Sequence, residues 1–265
     1  GIWMGFDFGV GTFDAALSKV EDGIMQVFDT EGDNYLGGKN LDYAIVDNII
    51  IPYLQKNFVL DETLADEEKK EVLRDAMKTF AEEAKNQLSF KDKYDILSNL
   101  GDLGEDEDGE EMELDLTVTQ SEVFDVMLPY FQKAVDICKQ LVKRNNLTDS
   151  QISKLILVGG PTHSPLIRQM LKEQVTSNVD TSIDPMTAVA TGAALYASTM
   201  DALVDEKEIK VGTVKLDLGY ESTSVETTEW ISAKLATGCG YSKVFVELER
   251  SDKAWSSGKV EIDST

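Results

Sequence analysis

Apolar and polar residues alternate over the first part of the chain in the way that β-strands require. Residues 2–8 and 15–20 flank a turn at residues 9–12, and residues 23–29 continue the alternation. Such alternation places successive side chains on opposite faces of a sheet. The pattern therefore predicts a meander of three strands at the start of the chain.

The apolar spacing then changes to that of helices. A helix is predicted to open at residues 36–38, where Leu41 and Ile45 begin an apolar face, and Pro52 should kink or end it. Residues 65–89 are rich in alanine, glutamate and lysine, which predicts a second, long helix.

A third helix has its own start signal. Thr119 and Glu122 have the spacing of a capping box, in which a hydroxyl and a carboxylate satisfy free amides of the first turn. Apolar residues from Phe124 to Val142 then recur on one face, and Pro129 should bend the helix.

An acidic run separates two predicted strands. Residues 94–100 and 112–118 are expected to form a β-hairpin around residues 102–111, which read DLGEDEDGEE. The simpler interpretation of the run is a solvated hairpin tip, and the alternative is a docking surface for a basic partner.

The rest of the chain predicts two regions. Residues 155–158 form a continuous apolar run, as expected of a strand that is covered on both faces, and helices follow at residues 164–175 and from about Met186. Strands followed by mixed helices and strands indicate an α/β domain over residues 1–200. Beyond it, charged residues predict a linker, and short alternating segments then predict β-strands.

Composition narrows the possible functions. The net charge of −24 argues against nucleic-acid binding, which needs lysine and arginine to neutralise phosphates, and against docking on anionic membranes. No run approaches the roughly 18–20 apolar residues of a membrane span. With two cysteines and one histidine, neither a disulfide framework nor a histidine-based metal centre is expected, and a reducing, cytoplasmic setting follows.

The start of the chain is also informative. It opens with GIWMGFDFG, which reads as a strand and carries no basic leader. We therefore expect the chain to be an excised piece of a longer protein.

The turn between the first two strands carries residues that suit phosphate. Gly9 and Gly11 let backbone amides approach an anion, Thr12 can hydrogen-bond a phosphate or a water, and Asp7 can hold metal-bound waters. A plain β-turn explains the same motif about as well.

Two further glycine pairs stand at helix starts. Gly159 and Gly160 end the apolar run, and Gly37 and Gly38 open the first helix. Unpaired amides and the helix dipole favour an anion at such places, although each pair can also be purely structural. Three glycine turns in one chain favour a nucleotide site.

The order of these motifs resembles that of the DnaK-like seventy-kilodalton heat-shock chaperones. FDFGVGTFDAAL is similar to that family's second phosphate loop, YDLGGGTFD, and GDNYLGGKNLD to its GDTHLGGEDFD. EEAKNQLS resembles ERAKRxLS, LILVGGPTHSP resembles the adenosine motif LVGGxTRxP, and DPMTAVATGAALYAS resembles NPDEAVAxGAA. VKLDLGYESTSVET is similar to the entry into the peptide-binding β domain. The matches are collinear and cover nearly the whole chain.

This resemblance implies a specific architecture. The fold class is α/β, and residues 1–200 would be lobe II of an actin-like, ribonuclease H-like ATPase domain. Residues 36–118 would approximate its outer subdomain, made of helices and a β-hairpin. Residues 201–213 would be the linker, and residues 214–265 a partial, truncated segment of the peptide-binding β domain.

The resemblance also implies roles for single residues. Asp7 would hold the water shell of Mg²⁺ and Thr12 would lie near the attacked phosphate of ATP, as the two catalytic positions. The glycines would line the phosphates and the adenosine, and the helix at residues 82–89 would meet ribose and adenine. The implied nucleotide-binding positions are Gly9, Val10, Gly11, Thr12, Gly37, Gly38, Glu82, Lys85, Asn86, Ser89, Gly159, Gly160, Thr162 and His163.

Several positions depart from the family pattern. Val10 replaces the middle glycine of the phosphate loop, where backbone approach is wanted. Asn86 and His163 stand where the family has two arginines that sandwich adenine, and Met186 replaces an acidic residue. Losing cation–π stacking costs roughly 1–2 kcal/mol, so we expect weaker nucleotide binding than is typical of the family.

The implied function is that of a chaperone fragment. The family's first phosphate loop and its catalytic lysine would lie upstream, and phosphoryl transfer needs charge stabilisation from both sides of the γ-phosphate, so this chain should not hydrolyse ATP alone. The parent would bind and release unfolded peptides with ATP, a J-domain co-chaperone and a nucleotide exchange factor. Unpaired β edges would permit self-association. The alternative is a degenerate scaffold without ATPase activity that binds partners through its acidic surface.

Overall fold

A five-stranded mixed sheet organises the first part of the chain. The structure is a computed structural model, and the chain divides into two compact units, Gly1–Leu195 and Tyr196–Thr265. The structure describes residues 1–21, 24–99, 101–199, 214, 216–220, 230–235, 243–250 and 253–263.

The sheet begins with the predicted meander. β1 (Ile2–Phe8), β2 (Phe13–Glu21) and β3 (Ile24–Asp33) are antiparallel neighbours, and β3 runs further than its sequence pattern predicts. β6 (Ile152–Val158) pairs in parallel with β1, and the short β7 (Val179–Asp180) pairs in parallel with β6. The strand order is therefore β3-β2-β1-β6-β7, a mixed α/β sheet.

Helices occupy the connections from β3 to β6 and from β6 to β7, and another helix follows β7. None of those in the described residues has both the length and the apolar composition that crossing a bilayer requires. Their bounds are α1 (Gly38–Ile45), a π-helical turn (Val46–Ile50), α2 (Ile51–Asn57), α3 (Asp61–Ala65), α4 (Glu67–Leu88), α5 (Gln120–Arg144), short 3₁₀ turns at Asp149–Gln151 and Gly160–His163, α6 (Pro165–Gln174) and α7 (Ala188–Thr199).

The structure adds two local details to the helix prediction. The α-helix that begins at Gly38 is interrupted by the π-helical turn just before Pro52, and Pro52 occupies the first turn of α2, where the missing N–H costs little. The long helix starts at Glu67 rather than residue 65. Asp66 adopts an extended backbone there, and its carboxylate caps α4 by accepting the N–H groups of Glu68 and Lys69.

One face of the sheet carries the core. Alternate residues of β1, among them Phe6 and Phe8, are fully buried in a core cluster that also contains residues of α1 and α5. Phe6 lies 4.8 Å from Phe13, and Phe8 lies 5.4 Å from Phe131 of α5, measured between ring centroids. This aromatic cluster fixes the β1–β2 hairpin and therefore the turn at its end.

The opposite face of β6 is less covered than its apolar run predicts. Leu155 and Leu157 are buried, but Ile156 and Val158 are only partly buried within the described residues. One face of β6 is therefore buried, and the other is partly covered by the described residues.

The acidic run is exposed to solvent, as the simpler interpretation predicts, except for the partly buried Leu103 and the buried Asp106. β4 (Lys93–Leu97) and β5 (Asp115–Thr119) form the predicted hairpin. Asp106 between them is buried, and its carboxylate accepts the N–H groups of Val59 and Glu110 at 2.9 Å. These amides lower the pKa of Asp106, because they stabilise its charged form.

The second unit contains short antiparallel hairpins. β8 (Leu216–Gly219) pairs with β9 (Ser232–Leu235), and β10 (Lys243–Val246) pairs with β11 (Val260–Asp263). The predicted linker at residues 201–213 lies outside the described residues.

Candidate functional site

A cleft of about 560 Å³ opens where the β1–β2 turn, the start of α1, the end of α4 and the end of β6 meet. These elements are far apart in sequence, and the sheet brings them to one edge. Most of the predicted site residues line the cleft, namely Asp7, Gly9, Val10, Gly38, Glu82, Lys85, Asn86, Ser89, Gly159, Gly160 and His163.

The β1–β2 turn offers free backbone donors. Gly9 donates its N–H to the carbonyl of Thr12 at 2.9 Å, which closes the turn. Among the described residues, no acceptor is found for the N–H groups of Val10, Gly11 and Thr12. Successive unpaired amides in a turn form a concave site for anions, and phosphate oxygens are suitable acceptors.

The start of α1 holds this turn in place. The N–H groups of Gly38 and Lys39 donate to the carbonyls of Gly9 and Val10, each at 2.8 Å. Gly37 is packed so closely that an added Cβ would lie 2.5 Å from the backbone nitrogen of Gly11. The glycine pair thus positions the turn, and the first amides of α1 are already occupied.

A second glycine is required at the end of β6. Gly159 has a φ of 92°, and an added Cβ would lie 2.1 Å from the carbonyl oxygen of Phe8. Its own carbonyl accepts the hydroxyl of Thr162 at 2.7 Å. Thr162 is fully buried, so this hydroxyl fixes the turn and does not line the cleft. Three other predicted residues lie beside the lining residues but do not line the cleft themselves: Gly11, Thr12 and Gly37.

Two carboxylates face each other at the base of the turn. Asp7 of β1 stands directly opposite Asp14 of β2 in the strand register. Partial burial raises the pKa of the Asp7 carboxyl, and repulsion from Asp14 adds to the shift. Like charges in such a pair destabilise a sheet, and a bound cation would relieve the repulsion.

This pair fits Mg²⁺ held partly through water. In the described part of the chain, no group of three or more potential metal-binding side chains occurs. Mg²⁺ commonly uses one or two carboxylates together with substrate phosphates and several waters. Asp7, Asp14 and the phosphates of a nucleotide in the adjacent turn would form such a set.

A buried ion pair lines the cleft. Lys85 of α4 donates to the carboxylate of Asp42 of α1 at 2.6 Å, and the residues are 8% and 3% exposed. Burial raises the pKa of the Asp42 carboxyl, and the ammonium of Lys85 opposes that shift. Lys85, which the family resemblance assigns to the nucleotide, is therefore already engaged.

Aromatic and apolar residues form another part of the cleft. The ring centroids of Phe90 and His163 lie 5.8 Å apart, and His163 Nε2 lies 3.5 Å from a carboxylate oxygen of Asp184. Met186 and Val189 also line the cleft and are largely exposed.

Sequence reasoning missed Asp14, Asp42 and Phe90. Asp42 had a usable signal, because it is a charged residue beside Leu41 on the apolar side of a predicted helix. Phe90 had none, because its position beside His163 depends on the tertiary fold.

The cleft is acidic. Asp7, Asp42 and Glu82 line it, and Lys85 is the one lysine or arginine found among its described lining residues. A phosphate group would therefore enter against net negative charge, and a divalent cation would have to offset it.

Sequence comparisons agree with the motifs. A sequence profile of the Hsp70 protein family matches residues 3–254. The chaperone protein DnaK of Nitrosopumilus maritimus (strain SCM1) is 30% identical over 217 residues, which are 82% of this chain and 33% of that protein. The chain thus spans about a third of the length of this curated relative.

Proposed function

This chain belongs to the Hsp70 protein family, and we propose that its cleft forms one wall of a binding site for ATP or ADP with Mg²⁺. One observation carries the proposal. The turn at residues 9–12 presents three amides that have no acceptor in the described part of the chain, beside the carboxylates of Asp7 and Asp14, which are paired across β1 and β2. Amides that accept phosphate oxygens, next to carboxylates that hold hydrated Mg²⁺, are the two halves of a Mg-nucleotide site.

The proposed domain organisation follows the family resemblance. Residues 1–200 would be lobe II of an actin-like nucleotide-binding domain, with residues 36–118 as its outer subdomain. The mixed five-stranded sheet with helical connections supports this assignment. Residues 201–213 would be the linker, and residues 214–265 part of a peptide-binding-type β domain.

We further propose that this chain does not hydrolyse ATP by itself. Phosphoryl transfer needs cations and donors arranged around the γ-phosphate. Lys85 is held by Asp42, so it is not free to stabilise that charge. The opposite wall of the cleft would have to supply the missing groups.

In the intact parent, the cleft would control peptide binding. ATP and ADP would shift the balance between two domain arrangements, and unfolded or extended peptides would be released or held accordingly. A J-domain co-chaperone and a nucleotide exchange factor are the partners we propose for that cycle.

The alternative function is a scaffold that has lost nucleotide binding. Val10 favours it, because this β-branched residue is 69% exposed in the turn where phosphate would approach. The folded acidic element around Asp106 would then be the partner surface.

Magnesium dependence tests the proposal most simply. We expect ADP to bind in the presence of Mg²⁺ and to lose most of its affinity in EDTA, because the cleft is acidic. Ligand-observed NMR of ADP with this chain detects such weak binding. Asp7→Asn should remove the magnesium effect, and Asp125→Asn, on the exposed face of α5, is the matched control.

Two outcomes would count against this assignment. Equal ADP binding with Mg²⁺ and with EDTA would mean that Asp7 and Asp14 hold no cation. Absence of ADP binding under both conditions, in this chain and in the parent, would favour the scaffold.

A further inference from the structure

A second cavity, the α5–α6 cavity, lies where the end of α5 meets the end of α6. Its volume is about 700 Å³, and it shares no lining residue with the cleft. The two helices are neighbours, and the side-chain amides of Gln132 and Gln174 exchange hydrogen bonds of 3.0 and 3.2 Å between them. The cavity is large enough for part of a peptide or a small ligand.

Lysines from both helices line the α5–α6 cavity. Lys139 and Lys143 stand about one turn apart on α5, and Lys172 belongs to α6. The whole chain has a net charge of −24, so three lysines around one cavity are a local exception. The acidic cleft, in contrast, has Lys85 as the one lysine or arginine among its described lining residues.

These lysines are available to an external anion. Lys139 has a carboxylate oxygen of Asp136 at 3.7 Å, and both side chains are about half exposed. In the described part of the chain, Lys143 and Lys172 take part in no ion pair, and both are exposed. A lysine ammonium is a point charge on a flexible stem, so both can turn towards a bound carboxylate.

The acidic residues of the cavity do not cancel this charge. Asp149 and Glu173 also line it. The carboxylate of Asp149 accepts the N–H of Ser150, and that of Glu173 accepts the side-chain amide of Gln169, each at 2.8 Å. Each carboxylate is therefore held by its own segment of the chain.

Apolar side chains complete the lining. Val142 and Leu147 are partly buried, and Val175 is buried. A simple anion such as phosphate would pair with the lysines and leave this apolar surface uncovered. Lysines beside apolar side chains suit a ligand that carries carboxylates next to an apolar group.

We propose that the α5–α6 cavity is a docking site for an acidic peptide segment of a partner protein. An apolar side chain of the segment would cover Val142 and Leu147, and its carboxylates would pair with Lys143 and Lys172. Charge complementarity selects this place, because the acidic remainder of the surface would repel such a segment. The inference is independent of the nucleotide function proposed above.

A short synthetic peptide tests the proposal. A fluorescent peptide of four glutamates around one leucine is titrated with the full chain, and its anisotropy measures binding. We expect binding at low salt that weakens steeply as the salt concentration rises. Lys143→Gln with Lys172→Gln should weaken it about tenfold, the sum expected for two exposed charge pairs. Lys69→Gln with Lys91→Gln, two exposed lysines outside the cavity, is the matched control and should change nothing.

Further variants separate charge from apolar contact and from folding. Lys143→Arg with Lys172→Arg keeps both charges and should retain binding. A peptide with glutamine in place of glutamate should not bind, because it lacks the carboxylates. A peptide with alanine in place of leucine should bind several-fold more weakly, because less apolar surface is covered.

Three results would overturn the proposal. The first is no binding of the glutamate peptide at low salt, or equal binding by the unmodified chain and the double glutamine variant. The second is displacement of the peptide by tripolyphosphate at equal concentration, which would mean a site for simple anions. The third is a concentration-dependent dimer in sedimentation that the double glutamine variant loses, which would make the occupant the acidic run, residues 102–111, of a second copy.

Discussion

The buried pair of Lys85 and Asp42 gives the sharpest prediction for stability. Replacing Lys85 with methionine keeps most of the side-chain volume but leaves Asp42, which is 3% exposed, without its partner. Breaking a buried ion pair in this way costs about 3–5 kcal/mol, because an uncompensated charge remains in the interior. For a unit of this size, that loss corresponds to a fall in Tm of roughly 6–20 °C.

The loss should depend on pH in a defined direction. Burial already raises the pKa of Asp42 above its ordinary value of 3.8, and removing Lys85 removes the effect that opposes this shift. When the folded pKa exceeds the unfolded pKa, the folded state binds the proton more tightly, so stability falls as the pH rises between them. The deficit of Lys85→Met relative to the unmodified chain should therefore shrink on acidification from pH 8 to pH 5.

Urea denaturation at several pH values measures this deficit. Lys91→Met, an exposed lysine beyond α4, is the control and should be neutral. The double variant Asp42→Leu, Lys85→Met should recover most of the loss, since well-packed apolar residues often replace a buried pair without cost. A deficit below about 1 kcal/mol, or one that is the same at pH 5 and pH 8, would refute this account of the pair.

Three further predictions concern the turns and the acidic element. Gly159→Ala should lower the free energy of unfolding by at least about 3 kcal/mol, because the new Cβ would meet the carbonyl oxygen of Phe8 and the φ of residue 159 is positive. An unchanged urea midpoint would contradict this. Asp106→Ala should speed amide hydrogen exchange at Val59, which loses its acceptor, and equal protection in both chains would show that the element does not depend on that carboxylate. Val10→Gly should tighten Mg-ADP binding several-fold by opening the turn, as calorimetry would measure, and weaker binding would mean that the valine itself contacts the ligand.

The sequence predicted the elements of the sheet well because the signals are local. Alternation gave the three-stranded meander, and the apolar run at residues 155–158 gave the parallel strand. The capping box at Thr119 was also correct, since its two hydrogen bonds involve residues three apart in the chain. Each of these features depends on neighbours within one element.

Contacts between distant parts of the backbone could not be predicted. The acidic run is exposed, as its charge predicts, but the carboxylate of Asp106 accepts the amide of Val59, 47 residues earlier. Charge alone cannot reveal such a partner.

The sequence motifs predicted most of the residues that line the cleft. They did not predict which of these residues contact one another. The glycine turns predicted where the cleft would open. Two contacts depend on how α1, α4 and β6 pack together. Lys85 forms an ion pair with Asp42, and the ring of Phe90 lies beside that of His163. These contacts decide which predicted residues are free to meet a ligand.

Calorimetric titration of Mg-ADP would show whether the cleft forms one wall of a Mg-nucleotide site. The titration is run on this chain and on the intact parent under the same conditions. We predict micromolar binding by the parent and much weaker binding by this chain, because on the proposed organisation the opposite wall would supply the other contacts. No binding by the parent would contradict the claim, and would mean that Val10 and the acidic lining have disabled the pocket.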